Sequence, residues 1–119
     1  MFDRDYQNPY IRLNRLHVTR ENIIPNLDRE GVPTEIDLLS IDIDGMDYHI
    51  FDQIAQRVNA RVVVIEVNRD HITRDDFDFA NPPDFFPDYA GQYRWKGGSD
   101  QLNTSPVAMT KLAQSTQHV

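Results

Sequence analysis

One stretch limits the possible folds of this chain more than any other, the segment IDLLSIDIDGMDY at residues 36–48. An apolar run rich in Ile and Leu leads into two carboxylates, Asp42 and Asp44, and then into Gly45 and an apparent helix start. An apolar run that ends in acid and glycine is typical of a parallel strand buried on both faces. Open α/β sheets bind their ligands at the carboxyl ends of such strands. The segment therefore predicts a central parallel strand with a polar site at its end.

The two acids of this segment are spaced so that they share one face of the strand. Side chains alternate along a strand, so Asp42 and Asp44 project to one side and Ile41 and Ile43 to the other. Two like charges this close repel each other, and they are usually held by a cation, by hydrogen-bond donors or by a shared proton. A structural alternative is that Asp44 caps the following helix and Asp42 makes a structural hydrogen bond.

A helix and a second strand follow the central strand. Residues 46–58 carry apolar side chains at helical spacing, namely Ile50, Phe51, Ile54, Ala55 and Val58. Asp47 lies near the amino end of this helix, where negative charge is favoured. His49 falls off the apolar stripe, which predicts a solvated surface histidine, and a ligand role is the alternative. Residues 61–67, RVVVIEV, then form a β-branched run that indicates another parallel strand. The three elements predict one right-handed βαβ unit.

Neighbouring parallel strands bring their carboxyl ends to the same edge of the sheet. We therefore expect Asp42 and Asp44 to lie beside Glu66 and Asn68. Oxygen ligands of this kind suit Mg²⁺, Mn²⁺ or Ca²⁺. The predicted metal ligands are thus Asp42, Asp44, Glu66 and Asn68, and the candidate catalytic residues are Asp42 and Asp44. The alternative is that Glu66 and Asn68 only organise the loop that follows them.

The remaining segments flank this unit. A short helix is predicted within residues 19–30, with Thr19 or Asn22 as N-cap and Gly31 as its stop. A last helix over residues 105–115 opens with a Ser-Pro pair. Between the second strand and this helix, residues 69–104 form a long irregular loop rich in acids and aromatics. The expected organisation is a single domain over residues 1–119 with its core at residues 18–68.

Composition excludes several classes of function. The chain has 119 residues, no cysteine and a net charge of −7. The charge argues against nucleic acid and anionic membranes as partners, and the lack of cysteine excludes a disulfide framework, a thiolate zinc site and a cysteine nucleophile. No apolar run approaches the ~20 residues of a membrane span, and no signal-peptide pattern is present. We therefore expect a cytoplasmic protein without a membrane segment.

Four segments of the chain resemble a known family. The segments VTRENI, GVPTEIDLLSIDIDGMDYHIFDQI and RVVVIEVN are similar to the second half of the catalytic domain of FkbM-like S-adenosylmethionine-dependent methyltransferases. The later segment WKGGSDQLNTSPVAMTKLA resembles a further motif of that family, with Asn103 and Thr104 where Gly-Ala is usual. The resemblance covers about residues 18–113.

This resemblance implies a partial Rossmann-like, class I methyltransferase fold with a parallel βαβ core and flanking helices. The strand before Asp42 would be the fourth of the usual seven, and the strand before Glu66 the fifth. Asp42 and Asp44 would lie at the edge of the cofactor and substrate cleft. The glycine-rich turn and the second-strand acid that bind S-adenosylmethionine in such enzymes would lie upstream of this chain, and G-x-G-x-x-G occurs nowhere in it. A partial sheet of this kind is expected to need a homo-oligomer or a partner over its open edge.

Three functional hypotheses follow. The first is O-methyl transfer to a small-molecule or sugar hydroxyl, with Asp42 as general base or metal ligand and Mg²⁺ as a further cofactor. The second is a haloacid-dehalogenase-type phosphatase, in which Asp42 would be the nucleophile, Asp44 the acid/base and Mg²⁺ the cofactor. Met46 and Asp47 depart from the residues that follow that motif. The third is a truncated, non-catalytic binding or assembly module.

Overall fold

The computed structural model describes residues 8–43, 45–67 and 104–116. These residues form an α/β arrangement of three helices and two strands, in the order α1 (Ile23–Arg29), β1 (Glu35–Ile41), α2 (Asp47–Ala55), β2 (Asn59–Ile65) and α3 (Pro106–Ser115). The predicted βαβ unit is confirmed, because β1 and β2 pair in parallel and α2 connects them. Asp44, Asn68 and all but the last residue of the predicted loop at 69–104 lie outside the described residues.

The register of the two strands is regular along their length. Glu35 pairs with Asn59 at the amino end, and Ile41 pairs with Ile65 at the carboxyl end. The two strands therefore end side by side, and the residues that follow them emerge at the same edge of the sheet. This edge is the one that the sequence predicts to carry polar groups.

The core lies on one face of this sheet. All three helices and β1 contribute buried residues to a single apolar cluster, namely Ile23, Ile41, Ile50, Phe51, Ile54, Val58, Met109 and Leu112. Leu39 and Val63 pack against this cluster from the two strands. Because strand side chains alternate, one side of each strand faces the helices and the other faces away.

The prediction that both strands are buried on both faces is wrong for the described part of the chain. Leu38 is 59% exposed, Val62 54% and Val64 56%. The described helices all contribute to the core on the opposite face, and no other described element covers these three side chains. The β-branched run of β2 therefore presents an apolar surface on one side.

Local signals place the ends of α1 as the sequence predicts. The amide of Thr19 donates to Asn22 Oδ1 at 2.8 Å, and the amide of Asn22 donates to Thr19 Oγ1 at 3.2 Å. The helix begins after Asn22, so Pro25 falls in its first turn, where a missing N–H costs no helical hydrogen bond. Gly31 follows the helix with φ +68°, a conformation that favours glycine.

The predicted surface position of His49 is wrong. His49 is 8% exposed, and its ring meets the ring of Tyr48 edge-on with centroids 5.1 Å apart. The helix wheel defines one apolar stripe, but α2 is contacted by α1, α3 and β1 together. A helix with neighbours on several sides buries more than one stripe.

Side-chain contacts also tie the helices together and cap the last one. Arg57, which follows α2, donates from Nε to Asp28 Oδ1 and from Nη2 to the carbonyl of Val32, both at 2.6 Å. The hydroxyl of Ser105 accepts the amide of Ala108 at 3.2 Å and caps α3. Among the described helices, none has the length and hydropathy that a membrane span requires.

Candidate acidic site at the strand ends

Asp42 and Glu66 are the first residues beyond the two paired strands. Ile41 pairs with Ile65, and the amide of Glu66 donates to the carbonyl of Ile41 at 3.2 Å. The strand register therefore sets Asp42 beside Glu66, on the sheet face that points away from the helical core. This is the proximity that the sequence predicts for these two residues. Asp42 itself is exposed.

A third carboxylate, that of Asp47, joins this pair. Asp42, Asp47 and Glu66 each offer one carboxylate oxygen, and these oxygens lie within 4.8 Å of one another. Asp47 is the first residue of α2, so it comes back to the strand ends through the short turn that follows β1. We call these three residues the acidic cluster.

The turn between β1 and α2 fixes the position of Asp47. The amide of Met46 donates to the carbonyl of Ile43 at 2.8 Å, and Gly45 takes φ +90°. A side chain at Gly45 would be strained in that conformation, which explains the glycine of the D-G-M-D sequence. The tight turn leaves the amide of Ile43 free to donate to Asp47 Oδ1 at 2.8 Å.

Asp47 is almost wholly buried, at 1% exposure. Its Oδ1 atom is satisfied by the amide of Ile43, but its Oδ2 atom has no hydrogen-bond partner among the described residues. A buried carboxylate oxygen without a partner is costly, because it has lost water and gained no donor in exchange. The acidic cluster thus contains a polar atom whose partner is not among the described residues.

This environment raises the pKa of Asp47 from 3.8 to about 6. The main cause is burial, which disfavours the charged carboxylate, and the negative charge of Asp42 adds to it. The backbone amides of Ile43, Asp47 and Gly45 act in the opposite direction, because they stabilise the charged form. Burial therefore outweighs the stabilisation of the charged form by these backbone amides.

The sequence predicts two of the three residues that come together here. Of the four predicted ligands, Asp42 and Glu66 lie in the acidic cluster, whereas Asp44 and Asn68 lie outside the described residues. Asp47 was assigned only to the helix terminus. A signal was present, since Asp47 precedes Ile50, Phe51 and Ile54 by three, four and seven residues and so shares their buried stripe. An acid on the apolar stripe of a helix marks a buried, functional or capping group.

The described residues also form a cavity of about 460 Å³, but it lies far from these acids. Its lining includes Glu35 and Asn59, the first residues of the two strands, together with Arg57. The cavity is therefore at the amino ends of the strands. Open α/β sheets bind ligands at the opposite end, so the acidic cluster is the better candidate for chemistry.

The sequence match that decides the family spans this site. Residues 15–93 match the methyltransferase FkbM domain, which is more than half of the chain. The chain belongs to the FkbM methyltransferase domain family. Comparison with curated proteins and with solved structures gave no significant match.

The FkbM domain match includes both strands, α2 and all three residues of the acidic cluster. Helix α3, at Pro106–Ser115, lies beyond the matched residues. The resemblance inferred from the strand motifs is thus confirmed at the level of the family. The match gives no support to the dehalogenase-type phosphatase or to the assembly-module hypothesis.

Proposed function

We propose that this chain takes part in S-adenosylmethionine-dependent O-methyl transfer to a hydroxyl group of a small molecule or sugar. The match of residues 15–93 to the FkbM methyltransferase domain carries this proposal. The parallel βαβ unit is compatible with part of a Rossmann-like, class I methyltransferase fold, in which β1 and β2 would be adjacent central strands. The acidic cluster at their carboxyl ends supports a role on the substrate side of such a domain.

The described residues contain no glycine-rich turn for the cofactor. Gly45 is the one glycine at a strand-to-helix turn among them, and the sequence contains no G-x-G-x-x-G loop. We therefore assign no residue of this chain to the cofactor. When bound, S-adenosylmethionine would supply an electrophilic methyl group on its sulfonium sulfur.

Asp42 is the residue that we propose as general base. It is exposed at the end of β1, where a substrate hydroxyl has access to its carboxylate. A carboxylate within hydrogen-bond reach of a substrate hydroxyl would orient that hydroxyl and accept its proton. Asp47 lies behind Asp42 and is buried, so its contribution is to the electrostatic field at Asp42 and to the position of the turn.

The test is binding followed by turnover. Calorimetric titration of the purified chain with S-adenosylmethionine and S-adenosylhomocysteine measures whether the cofactor is held. A panel of hydroxyl-bearing sugars and phenols with radiolabelled methyl donor then measures transfer. We expect micromolar binding and transfer that Asp42→Asn lowers by about 100-fold or more, since general-base catalysis contributes about 10²–10⁴-fold.

A matched control is Asp37→Asn. Asp37 is an exposed acid on β1 that pairs with Arg61, and it lies toward the amino ends of the strands, away from the acidic cluster. Its substitution removes one negative charge from the same strand without touching the proposed site. Absence of cofactor binding, or equal turnover in Asp42→Asn and the unaltered chain, would refute the proposal.

A further inference from the structure

We propose that the carboxylates of Asp42, Asp47 and Glu66 bind a hard divalent cation of the Mg²⁺, Mn²⁺ or Ca²⁺ class. The three side chains provide an all-oxygen set of donors whose atoms lie within 4.8 Å of one another. Oxygen donors of this kind select Mg²⁺, Mn²⁺ and Ca²⁺ over softer metals. The proposal concerns cation binding alone and does not depend on methyl transfer.

The buried oxygen of Asp47 is the observation that separates this cluster from an ordinary acidic surface. Asp47 is 1% exposed, and its Oδ2 atom has no hydrogen-bond partner among the described residues. Buried polar atoms in folded proteins nearly always have a partner. A cation held between Asp47, Asp42 and Glu66 supplies that partner and also removes the repulsion among the three carboxylates.

The distances suit a cation of this class. Calcium lies about 2.3–2.6 Å from its oxygen ligands, so oxygens on opposite sides of the ion are about 5 Å apart. Magnesium requires a closer set, at about 2.0–2.1 Å from each oxygen. The oxygens of the cluster lie within 4.8 Å of one another, which is within the span of about 5 Å across a calcium ion. Across a magnesium ion the span is about 4 Å, so binding of Mg²⁺ would require the oxygens to lie closer together.

The three ligands come from the ends of three different elements. Asp42 follows β1, Glu66 follows β2 and Asp47 begins α2. The strand register fixes the first two, and the hydrogen bond from the amide of Ile43 fixes the third. A site whose ligands are held before the ion arrives loses little conformational entropy on binding.

The geometry also leaves room for a further ligand. These cations take six or more oxygen ligands, so three carboxylates leave positions for water or for an oxygen of a second molecule. Asp42 is exposed, so these positions are reached from solvent. A hydroxyl- or carboxylate-bearing molecule is the chemical class that such a cation would hold beside the sheet edge.

Isothermal titration of the full chain, stripped with EDTA, with Mg²⁺, Mn²⁺ and Ca²⁺ tests the proposal. We expect one bound ion per chain with a Kd of about 10⁻⁵–10⁻³ M for at least one of the three. Asp47→Asn keeps an acceptor for the amide of Ile43 but removes the charge of the side chain. Glu66→Gln likewise removes a charge, at the end of β2, and keeps an oxygen at nearly the same position. Each is expected to weaken binding by about 10-fold or more, whereas the exposed control Asp37→Asn leaves it unchanged.

A second measurement locates the ion and protects the test against a variant that fails to fold. Mn²⁺ added to isotope-labelled chain broadens the NMR signals of nearby residues, so the resonances of Ile43, Gly45 and Asp47 should disappear before those of Asp37 and Arg61. Broadening confined to Asp37 and Arg61, or absence of binding to all three cations by the unaltered chain, would overturn the proposal. The proposal would also be overturned if Asp47→Asn and Glu66→Gln, both folded by circular dichroism, bound the cation with the same affinity as the unaltered chain.

Failure of this test is distinguishable from failure of the proposed methyl transfer. Cation binding is read by titration without S-adenosylmethionine, and cofactor binding is read in EDTA without added cation. A chain that binds the cofactor and no cation disproves only the metal site. A chain that binds the cation and no cofactor leaves the metal site in place and disproves the proposed function.

Discussion

The amide of Ile43 donates a 2.8 Å hydrogen bond to the carboxylate of Asp47, across the turn that joins β1 to α2. This contact lets one residue serve two purposes, because the same carboxylate closes the turn with Oδ1 and belongs to the acidic cluster. Replacement of Asp47 by alanine therefore alters both the turn and the acidic cluster. Replacement by asparagine removes the charge from the cluster and keeps the acceptor that closes the turn.

The first prediction concerns that separation. Asp47→Asn retains an oxygen that accepts the amide of Ile43, whereas Asp47→Ala removes the acceptor and leaves a partly buried amide without this partner. We expect the free energy of unfolding of Asp47→Ala to be lower than that of Asp47→Asn by about 1–2 kcal/mol, the cost of an unmade buried hydrogen bond. Urea denaturation of both variants in EDTA at neutral pH measures the difference. Equal stability of the two variants would show that the turn does not need this acceptor.

The second prediction concerns the pH dependence of stability without added cation. The pKa of Asp47 is raised in the folded chain from 3.8 to about 6, so the folded state binds a proton between these pH values and the unfolded state does not. The free energy of unfolding therefore rises as pH falls from about 6 to about 4, by about 2–3 kcal/mol from this group. Asp42 and Glu66 are the other two acids that face this site.

Asp47→Asn is the control for this pH effect, because its side chain does not titrate. Urea denaturation at several pH values in EDTA gives the free energy of unfolding of both proteins. The quantity of interest is the value for the unaltered chain minus the value for Asp47→Asn. We expect this difference to become more favourable to the unaltered chain as the pH is lowered. A difference that is flat across this range would contradict the raised pKa.

The third prediction compares two ion pairs. Arg57 is largely buried at 19% side-chain exposure and bonds both Asp28 and the carbonyl of Val32, whereas the Arg61–Asp37 pair is more than 80% exposed on both sides. Arg57→Met is expected to destabilise the chain by about 1–3 kcal/mol, since it leaves the Val32 carbonyl without this donor. Arg61→Met should change stability by less than about 0.5 kcal/mol. Thermal or urea unfolding of the two variants in parallel gives the comparison.

The fourth prediction contrasts the two faces of β1. Leu39 packs against the core cluster, while its neighbour Leu38 is 59% exposed on the opposite face. We expect Leu39→Ala to cost about 2–3 kcal/mol and Leu38→Ala less than about 1 kcal/mol. The same Leu-to-Ala substitution is thus expected to cost more stability on the face of β1 that packs against the core than on the opposite face. Equal losses in urea denaturation would indicate that something covers Leu38 in solution.

The fifth prediction concerns the start of α3. Ser105 is fully buried, and its hydroxyl accepts the amide of Ala108. Ser105→Ala is expected to lower the free energy of unfolding by about 1 kcal/mol or more, as for other lost N-caps. Ser115→Ala, at the other end of the same helix, removes a hydroxyl that donates to the carbonyl of Leu112 and should cost less. Helix content and urea midpoints of both variants test this asymmetry.

Much of the fold was predictable because its signals are local. The β-branched run around Val63, the helical stripe of Ile50 and Ile54, and the Ser105-Pro106 pair each identify an element and nearly its limits. The parallel pairing follows from strand, helix and strand in succession.

The parts that were not predictable depend on which elements pack together. The sequence predicts a surface position for His49 because a helix wheel does not show that α1, α3 and β1 all contact α2 in the described part of the chain. Leu38 and Val62 were expected to be buried because an apolar strand does not show which of its faces is covered. Asp47 was missed as a site residue because the turn that brings it beside Asp42 requires φ +90° at Gly45, which a glycine permits but does not dictate.

The pairing of Ile41 with Ile65 also determines which changes of chain length this domain tolerates. Removal of one residue from the connection between α2 and β2, residues 56–58, would shift the second strand by a single position and turn all its side chains to the other face. Val67 would then stand where Glu66 now meets Asp42, and an acid would face the apolar core. A one-residue deletion there is thus a more severe lesion than most substitutions, and insertions are best tolerated beyond the ends of the two strands.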